Sequence, residues 1–255
     1  MLLKNTVAFI SGAGQGLGRA TAIRFAKQGA RVVVADRSEA SVQRVVSEIG
    51  NESALGAVLD VTSEEGVRKG FDEAIRKWGK VNAVVNCAGI LSPMKTLSKK
   101  GPANLDQFAK VQMVNVVGTF NVIRLAAERM ALNAADEDGQ RGVIINTASI
   151  AAMEGQIGQA AYAASKGAIA SMTLPIARDL SSYGIRVCCI APGLFLTPML
   201  EELSEDIRKS LASGVPFPKR LGNPDEFARL AQNIIENSML NGETIRLDGA
   251  LRMQP

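Results

Sequence analysis

Tyr162 and Lys166 are one helical turn apart, which puts a phenol and an ammonium on one face. An ammonium beside a phenol favours the ionised oxygen, the form able to take a proton from an alcohol. Ser149 ends the run Val143-Ile144-Ile145-Asn146-Thr147-Ala148 and offers a hydroxyl that could donate to a substrate oxygen. Asn115 lies in a mainly apolar helical pattern, where an amide needs a polar reason to be. Taken singly, each of the four also fits a structural role. Together they read as a proton-transfer site.

A second constellation precedes them. Ser11-Gly12-Ala13-Gly14-Gln15-Gly16-Leu17-Gly18 follows a strand-like run and opens a helical one. Glycines there let the backbone turn tightly and approach a pyrophosphate, which the helix N–H groups and dipole then hold. Asp36 closes the next strand-like run, where a carboxylate can accept both hydroxyls of an adenosine ribose and repel a 2′-phosphate. Gln15 adds no cation to the loop, although Arg37 follows the acid. This pattern favours NAD over NADP. Asp60-Val61 ends the third strand and could hold adenine, or Asp60 could simply cap the helix beyond it. Asn86-Cys87-Ala88-Gly89 ends the fourth, beside the same crevice.

Composition narrows the alternatives. The chain has 255 residues and no histidine, which removes Ser-His-Asp and Cys-His catalysis and His-ligated zinc. Its 47% apolar content supports a sizeable core. Cys87, Cys188 and Cys189 form no disulfide framework, which suits a reducing, intracellular home. A net charge of +4 with only 4% aromatics favours small anionic ligands over nucleic acid. The first residues lack a secretory signal pattern, and no apolar run is long enough to span a bilayer. The expectation is mitochondrial matrix for a eukaryotic source and cytoplasm for a bacterial one.

Positioning these groups requires a parallel sheet. Strands are expected at Val7–Ile10, Arg31–Ala35, Ala54–Leu59, Val81–Val85, Gly142–Asn146, Ile185–Ile190 and Glu243–Leu247. Helical patterns alternate with them at Gly16–Gln28, Ser38–Ile49, Ser63–Trp78, Leu105–Asn133, Gln159–Tyr183 and Pro224–Asn237. The reading is one α/β domain over residues 1–255, a doubly wound Rossmann sheet of about seven parallel strands with helices on both faces. Two segments break the rhythm. Ile90–Asn104 is expected as a flexible insertion loop whose Lys95, Lys99 and Lys100 could attract the phosphates of coenzyme A. Gly193–Arg220 is expected as a substrate lid. Either could also be a plain surface insertion.

Over its whole length the sequence resembles the short-chain dehydrogenase/reductase family. Its marks are Gly12-x-x-x-Gly16-x-Gly18, Asn86-Cys87-Ala88-Gly89, Asn115, Ser149, Tyr162-x-x-x-Lys166 and Pro192-Gly193. Ser11 stands where threonine is usual, and Cys87 where a second asparagine is more common. The longer strings Gly118–Leu125, Gly139–Ser149, Gly155–Tyr162, Thr173–Leu180 and Asn241–Met253 are similar to the branch acting on 3-hydroxyacyl-CoA thioesters and hydroxysteroids. The resemblance implies an NAD-dependent oxidoreductase with Tyr162 as proton-transfer group and Lys166 as its partner and ribose ligand. Ser149 would orient the substrate oxygen, and Asn115 would link Lys166 to solvent. It adds Gln15, Leu17, Val61, Cys87, Ala88, Gly89, Pro192, Gly193, Phe195 and Thr197 to the cofactor set. Gln156 and Gln159 join Ser149 and Tyr162 on the substrate side. It further implies a homotetramer, with faces on Leu105–Asn133 and the Ile245–Met253 tail. The rival readings are an NADPH-dependent carbonyl reductase and a scaffold subunit in mitochondrial tRNA processing, a second role of animal relatives.

Overall fold

In the computed structural model, residues 1–201 and 204–255 are described. Residues 202 and 203 of the expected 193–220 lid therefore lie outside the described residues. The chain runs β1 (Val7–Ser11), α1 (Gly16–Lys27), β2 (Arg31–Asp36), α2 (Glu39–Ile49), β3 (Ala54–Val58), α3 (Glu64–Trp78) and β4 (Ala83–Asn86). A small hairpin follows, β5 (Leu97–Ser98) and β6 (Gly101–Pro102). Then come α4 (Leu105–Gln112), α5 (Thr119–Met130), β7 (Gly142–Thr147), α6 (Ala160–Asp179) and β8 (Ile185–Pro192). The chain ends with α7 (Pro198–Glu201), α8 (Glu205–Ser213), α9 (Pro224–Glu236) and β9 (Thr244–Leu247).

Seven strands pair in parallel in the order β3-β2-β1-β4-β7-β8-β9. Strand alternation explains why both faces are covered. Along β1, Ala8 and Ile10 enter one core with Phe25 of α1, Val45 of α2 and Phe227 of α9. Val7 and Phe9 enter the other with Phe71 of α3, Val122 of α5 and Ile176 of α6. Phe9 and Phe71 stack with ring centroids 4.3 Å apart. Helix starts follow their caps: Ser63 accepts from Gly66 N at α3, and Asn223 with Glu226 closes a capping box at α9. The order reverses between β1 and β4, so a crevice opens at their carboxyl ends.

Three expectations on the elements are corrected. The single helix expected over Leu105–Asn133 is divided by a π turn at Met113–Gly118, because the Asn115 side chain takes part in bonds that a straight α-helix would misaim. The helix expected to reach Tyr183 ends at Asp179 and tightens into a 3₁₀ turn at Ser181–Tyr183, closed by Gly184 in left-handed conformation. The Ile90–Asn104 loop is partly ordered. Its hairpin is held by Ala103 N to Thr96 O and Lys100 N to Ser98 Oγ, and its stem docks through Met94 N to Gly158 O.

Candidate active site

The crevice has a volume of about 460 Å³. Its floor is the glycine loop with Gly12, Gln15, Gly16, Leu17 and Gly18. Gly12 (φ 66°) and Gly16 (φ 56°) take backbone conformations that other residues rarely adopt. Gly18 is required by closeness, since a Cβ there would lie 2.3 Å from the Gly12 oxygen. Its absence lets α1 start directly against the strand end, with free N–H groups facing the crevice.

Asp36, Asp60, Val61, Cys87, Ala88, Gly89 and Thr197 line the remaining walls, as the sequence pattern anticipates. Asp36 Oδ2 accepts from Gly14 N at 3.0 Å, and Arg44 donates to the Gly14 oxygen at 2.9 Å. The carboxylate thus also steadies the loop. Asp60 Oδ1 accepts from both the hydroxyl and the backbone N–H of Thr62, which together with nearby Arg37 hold its carboxyl below the usual range. Its capping role and its place on the wall coexist. The Cys87 sulfur accepts from Thr147 Oγ1, and burial pushes its thiol up to about 11, so it stays neutral. Ala35, Leu59, Val114 and Pro198 also line the crevice and were not singled out by pattern; each neighbours a residue that was.

Pro192, Gly193 and Phe195 do not line this crevice, and neither do Ser149, Tyr162 and Lys166, which lie beyond it. Phe195 is buried in the core (7% exposed) and bridges to Gly222, while Gly193 packs on Asp248. An apolar ring beside strand ends is better satisfied inside the core than in a polar cleft.

The catalytic candidates meet beyond Gly89. A Cβ on Gly89 would stand 3.3 Å from Asn115 Oδ1 and 3.6 Å from Lys166 Nζ, so this glycine joins the crevice to the cluster. Lys166 is 5% exposed and donates to the Thr147 oxygen at 2.7 Å, with Nζ 5.6 Å from the centre of the Tyr162 ring. No carboxylate pairs with this ammonium among the described residues. Its charge is therefore directed at the phenol and the space beside it. Asn115 does not bond Lys166. Its amide donates to Ile90 O and Ser165 Oγ, both at 2.9 Å, and accepts from Ile90 N at 2.8 Å. Ser149 caps the 3₁₀ turn Ile150–Ala152, its Oγ accepting from Ala151 N at 3.1 Å, which leaves the hydroxyl proton free to donate. Thr147 and Ser165, which anchor Lys166 and Asn115, escaped sequence reading; the only signal was adjacency to Ser149 and Lys166.

On the substrate side, Gln159 Oε1 accepts from Gln156 N at 3.2 Å, and Gln156 donates to Gln254 O at 2.9 Å. Lys99 and Lys100 are exposed at the turn of the hairpin and Lys95 just before it, next to Met94, which bonds Gly158. Among the described residues no group of three or more His, Cys, Asp or Glu could hold a metal ion, and no helix is long and apolar enough to cross a membrane.

A glycine loop under a helix N-terminus, a carboxylate at the end of β2 and a Tyr-Lys pair beyond the crevice are the marks of a dinucleotide-dependent oxidoreductase. The chain belongs to the short chain dehydrogenase family, whose model matches residues 6–208. It is 54% identical to the 3-hydroxyacyl-CoA dehydrogenase type-2 of Drosophila melanogaster, with all of both chains covered. It is 55% identical to the protein of that name from Homo sapiens, over 99% of this chain and 97% of the relative. The crystal structure of 3-hydroxyacyl-CoA dehydrogenase type-2 from Mycobacterium avium superimposes with a TM-score of 0.95 at 41% identity, covering 99% and 98% of the two chains. A 7α-hydroxysteroid dehydrogenase complexed with NADH and 7-oxo glycochenodeoxycholic acid gives 0.88 at 32%, covering 99% and 96%.

Proposed function

We propose that this chain is an NAD-dependent dehydrogenase interconverting (S)-3-hydroxyacyl-CoA and 3-ketoacyl-CoA, and accepting other hydrophobic secondary alcohols such as hydroxysteroids. The observation that carries the reading is full-length identity above one half to relatives of that name, joined to an intact Ser149, Tyr162 and Lys166. Asp36, with no cation inside the glycine loop, supports NAD over NADP. Gly12, Gly16, Gly18, Asp36 and Asp60 would hold the dinucleotide, and Lys166 its second ribose. Bound NAD supplies the hydride acceptor in oxidation, and NADH the donor in reduction.

The chain's own groups manage the proton. Ser149 Oγ donates to the substrate oxygen and fixes its position. Tyr162 takes the hydroxyl proton in oxidation and returns it in reduction. Lys166, held by the Thr147 carbonyl, stabilises the phenolate formed. Asn115 ties the Ile90 segment to α6 through Ser165 and so sets the wall beside Lys166. The hairpin lysines meet the phosphates of coenzyme A at the mouth of the site, and α7–α8 form the lid.

Met113, Val117 and Phe120 are 50%, 47% and 49% exposed along one helical stripe, which supports a homotetramer built on α4 and α5. The compartment follows the source: matrix in a eukaryote, cytoplasm in a bacterium. The deciding experiment is steady-state reduction of acetoacetyl-CoA with NADH and with NADPH. The reading expects turnover with NADH and a much lower kcat/KM with NADPH. Preference for NADPH would overturn the cofactor assignment. No turnover of the thioester would overturn the substrate.

A further inference from the structure

Glu154 takes no part in the site described above, yet it sits one turn beyond Ser149, its N–H bonded to the Ile150 oxygen. Its carboxylate gathers four contacts. Arg246 of β9 reaches Oε1 at 2.8 Å and Oε2 at 3.3 Å, Arg252 reaches Oε1 at 3.3 Å, and Met253 N donates to Oε2 at 3.0 Å. Arg246 in turn pairs with Asp248 at 2.6 Å and donates to the Leu251 oxygen at 2.9 Å. Such forked, charge-assisted contacts fix orientation as well as distance.

Asp248 opens a strained turn. Gly249 (φ 61°) and Ala250 (φ 66°) are both left-handed, and Ala250 is held there by its N–H to Asp248 Oδ1 at 3.0 Å. An alanine in that conformation persists only where its surroundings impose it. The same turn receives the base of the lid. Phe217 N donates to the Gly249 oxygen, and Val215 stands where a side chain on Gly249 would be. Beneath it, Ile150, Val215 and Leu251 form a separate small core.

We propose that Glu154 is a positioning residue whose ionic grip on Arg246 and the 248–253 tail couples the Ser149 turn to the base of the lid. The two walls of the substrate site then move as one block, and loss of the charge loosens both. This inference rests on the oxidoreductase reading but not on which alcohol is oxidised.

The test is Glu154→Gln, which keeps the shape and loses the charge. With acetoacetyl-CoA and NADH, kcat should fall between about tenfold and a hundredfold, the scale of a misplaced catalytic group. NADH affinity, read by fluorescence titration, should stay unchanged because the grip lies outside the crevice. Amide hydrogen exchange should rise both at residues 150–153 and at Val215 and Phe217. Arg252→Gln, at an exposed side chain, should move the same readouts in the same direction by less, and it decides the matter should Glu154→Gln not fold. A lowered melting temperature with unchanged kcat, or faster exchange confined to 150–153, would overturn the coupling. A wild-type protein inactive on acetoacetyl-CoA would instead sink the proposed substrate, leaving the exchange measurement to judge the coupling alone.

Discussion

The cofactor half and the substrate half of this site are held together by different kinds of bond. Behind the crevice, neutral groups form a buried row across adjacent strands: Ser11 Oγ to Asn86 Oδ1 at 3.3 Å, then Asn86 Nδ2 to Asn146 Oδ1 at 3.0 Å. Asn115 extends the same style of bonding to α6. Across from it, the substrate half consists of an exposed hairpin, an ion-paired tail and short helices after β8. Neutral bonds inside a parallel sheet are short-ranged and unforgiving, whereas an exposed hairpin and short helices at the rim tolerate substitution. The difference fits a binding half built for one unvarying ligand and a facing half free to be refitted to others.

Substitutions can break that comparison. Tyr162→Phe should have the largest effect, on the order of a thousandfold in kcat, because the proton-transfer group is gone. NADH binding should remain near native, which titration of cofactor fluorescence would check. Gly18→Ala tests whether the cofactor half is as stiff as it looks. Its added Cβ meets the Gly12 oxygen, and overpacking of about 1–3 kcal/mol corresponds to roughly tenfold to a hundredfold weaker NADH binding by calorimetry.

Asp36→Ala should cost about tenfold in kcat/KM for NADH, the value of a charge-assisted hydrogen bond, while NADPH improves as the repulsion is removed. Gly14 N loses its partner in the same variant, so NADPH should not reach the wild-type rate with NADH. A full reversal of preference would show that the loop does not need this anchor. The smallest effect belongs to Lys99→Ala with Lys100→Ala. KM for acetoacetyl-CoA should rise about threefold at low salt, fading as salt is added, with no change for a small ketone. Equal effects on both substrates would remove the hairpin from CoA recognition.

The sheet was legible because its strands are apolar on both faces; β1, β2, β3, β7 and β9 differ from expectation by one residue at an end and β8 by two. The fourth strand starts at Ala83 instead of Val81, because Asn82 turns its side chain to Val7 N and Asn5 O and acts as a clasp ahead of the ladder. The hairpin at 97–102 was hidden since two-residue strands leave no alternation to read. Tyr162, Lys166 and Asp36 could be found from spacing alone. The burial of the Phe195 ring was not legible, because proximity to a motif does not say which way a ring points. Glu154 and its arginines could not be seen at all, being far apart in sequence and ordinary in composition.

The π turn at Met113–Gly118 has a consequence for how this helix can be edited. It carries one residue more than an α-helical turn spanning the same rise, so it absorbs the roughly 100° that this residue would otherwise add around the axis. Asn115 can face inward at one end while Val122 and Leu125 still meet the core at the other. Residue number, and not residue type, carries that information. Removing Val116 would let the turn close as an ordinary α-helical one of the same rise, leaving Val122 in the core and Phe120 on its stripe while changing the aim of Asn115. A single-codon deletion there should therefore cost activity more than stability: turnover of acetoacetyl-CoA should fall while the melting temperature stays near that of Val117→Ala, and a much lower melting temperature would show that α5 had been turned out of phase.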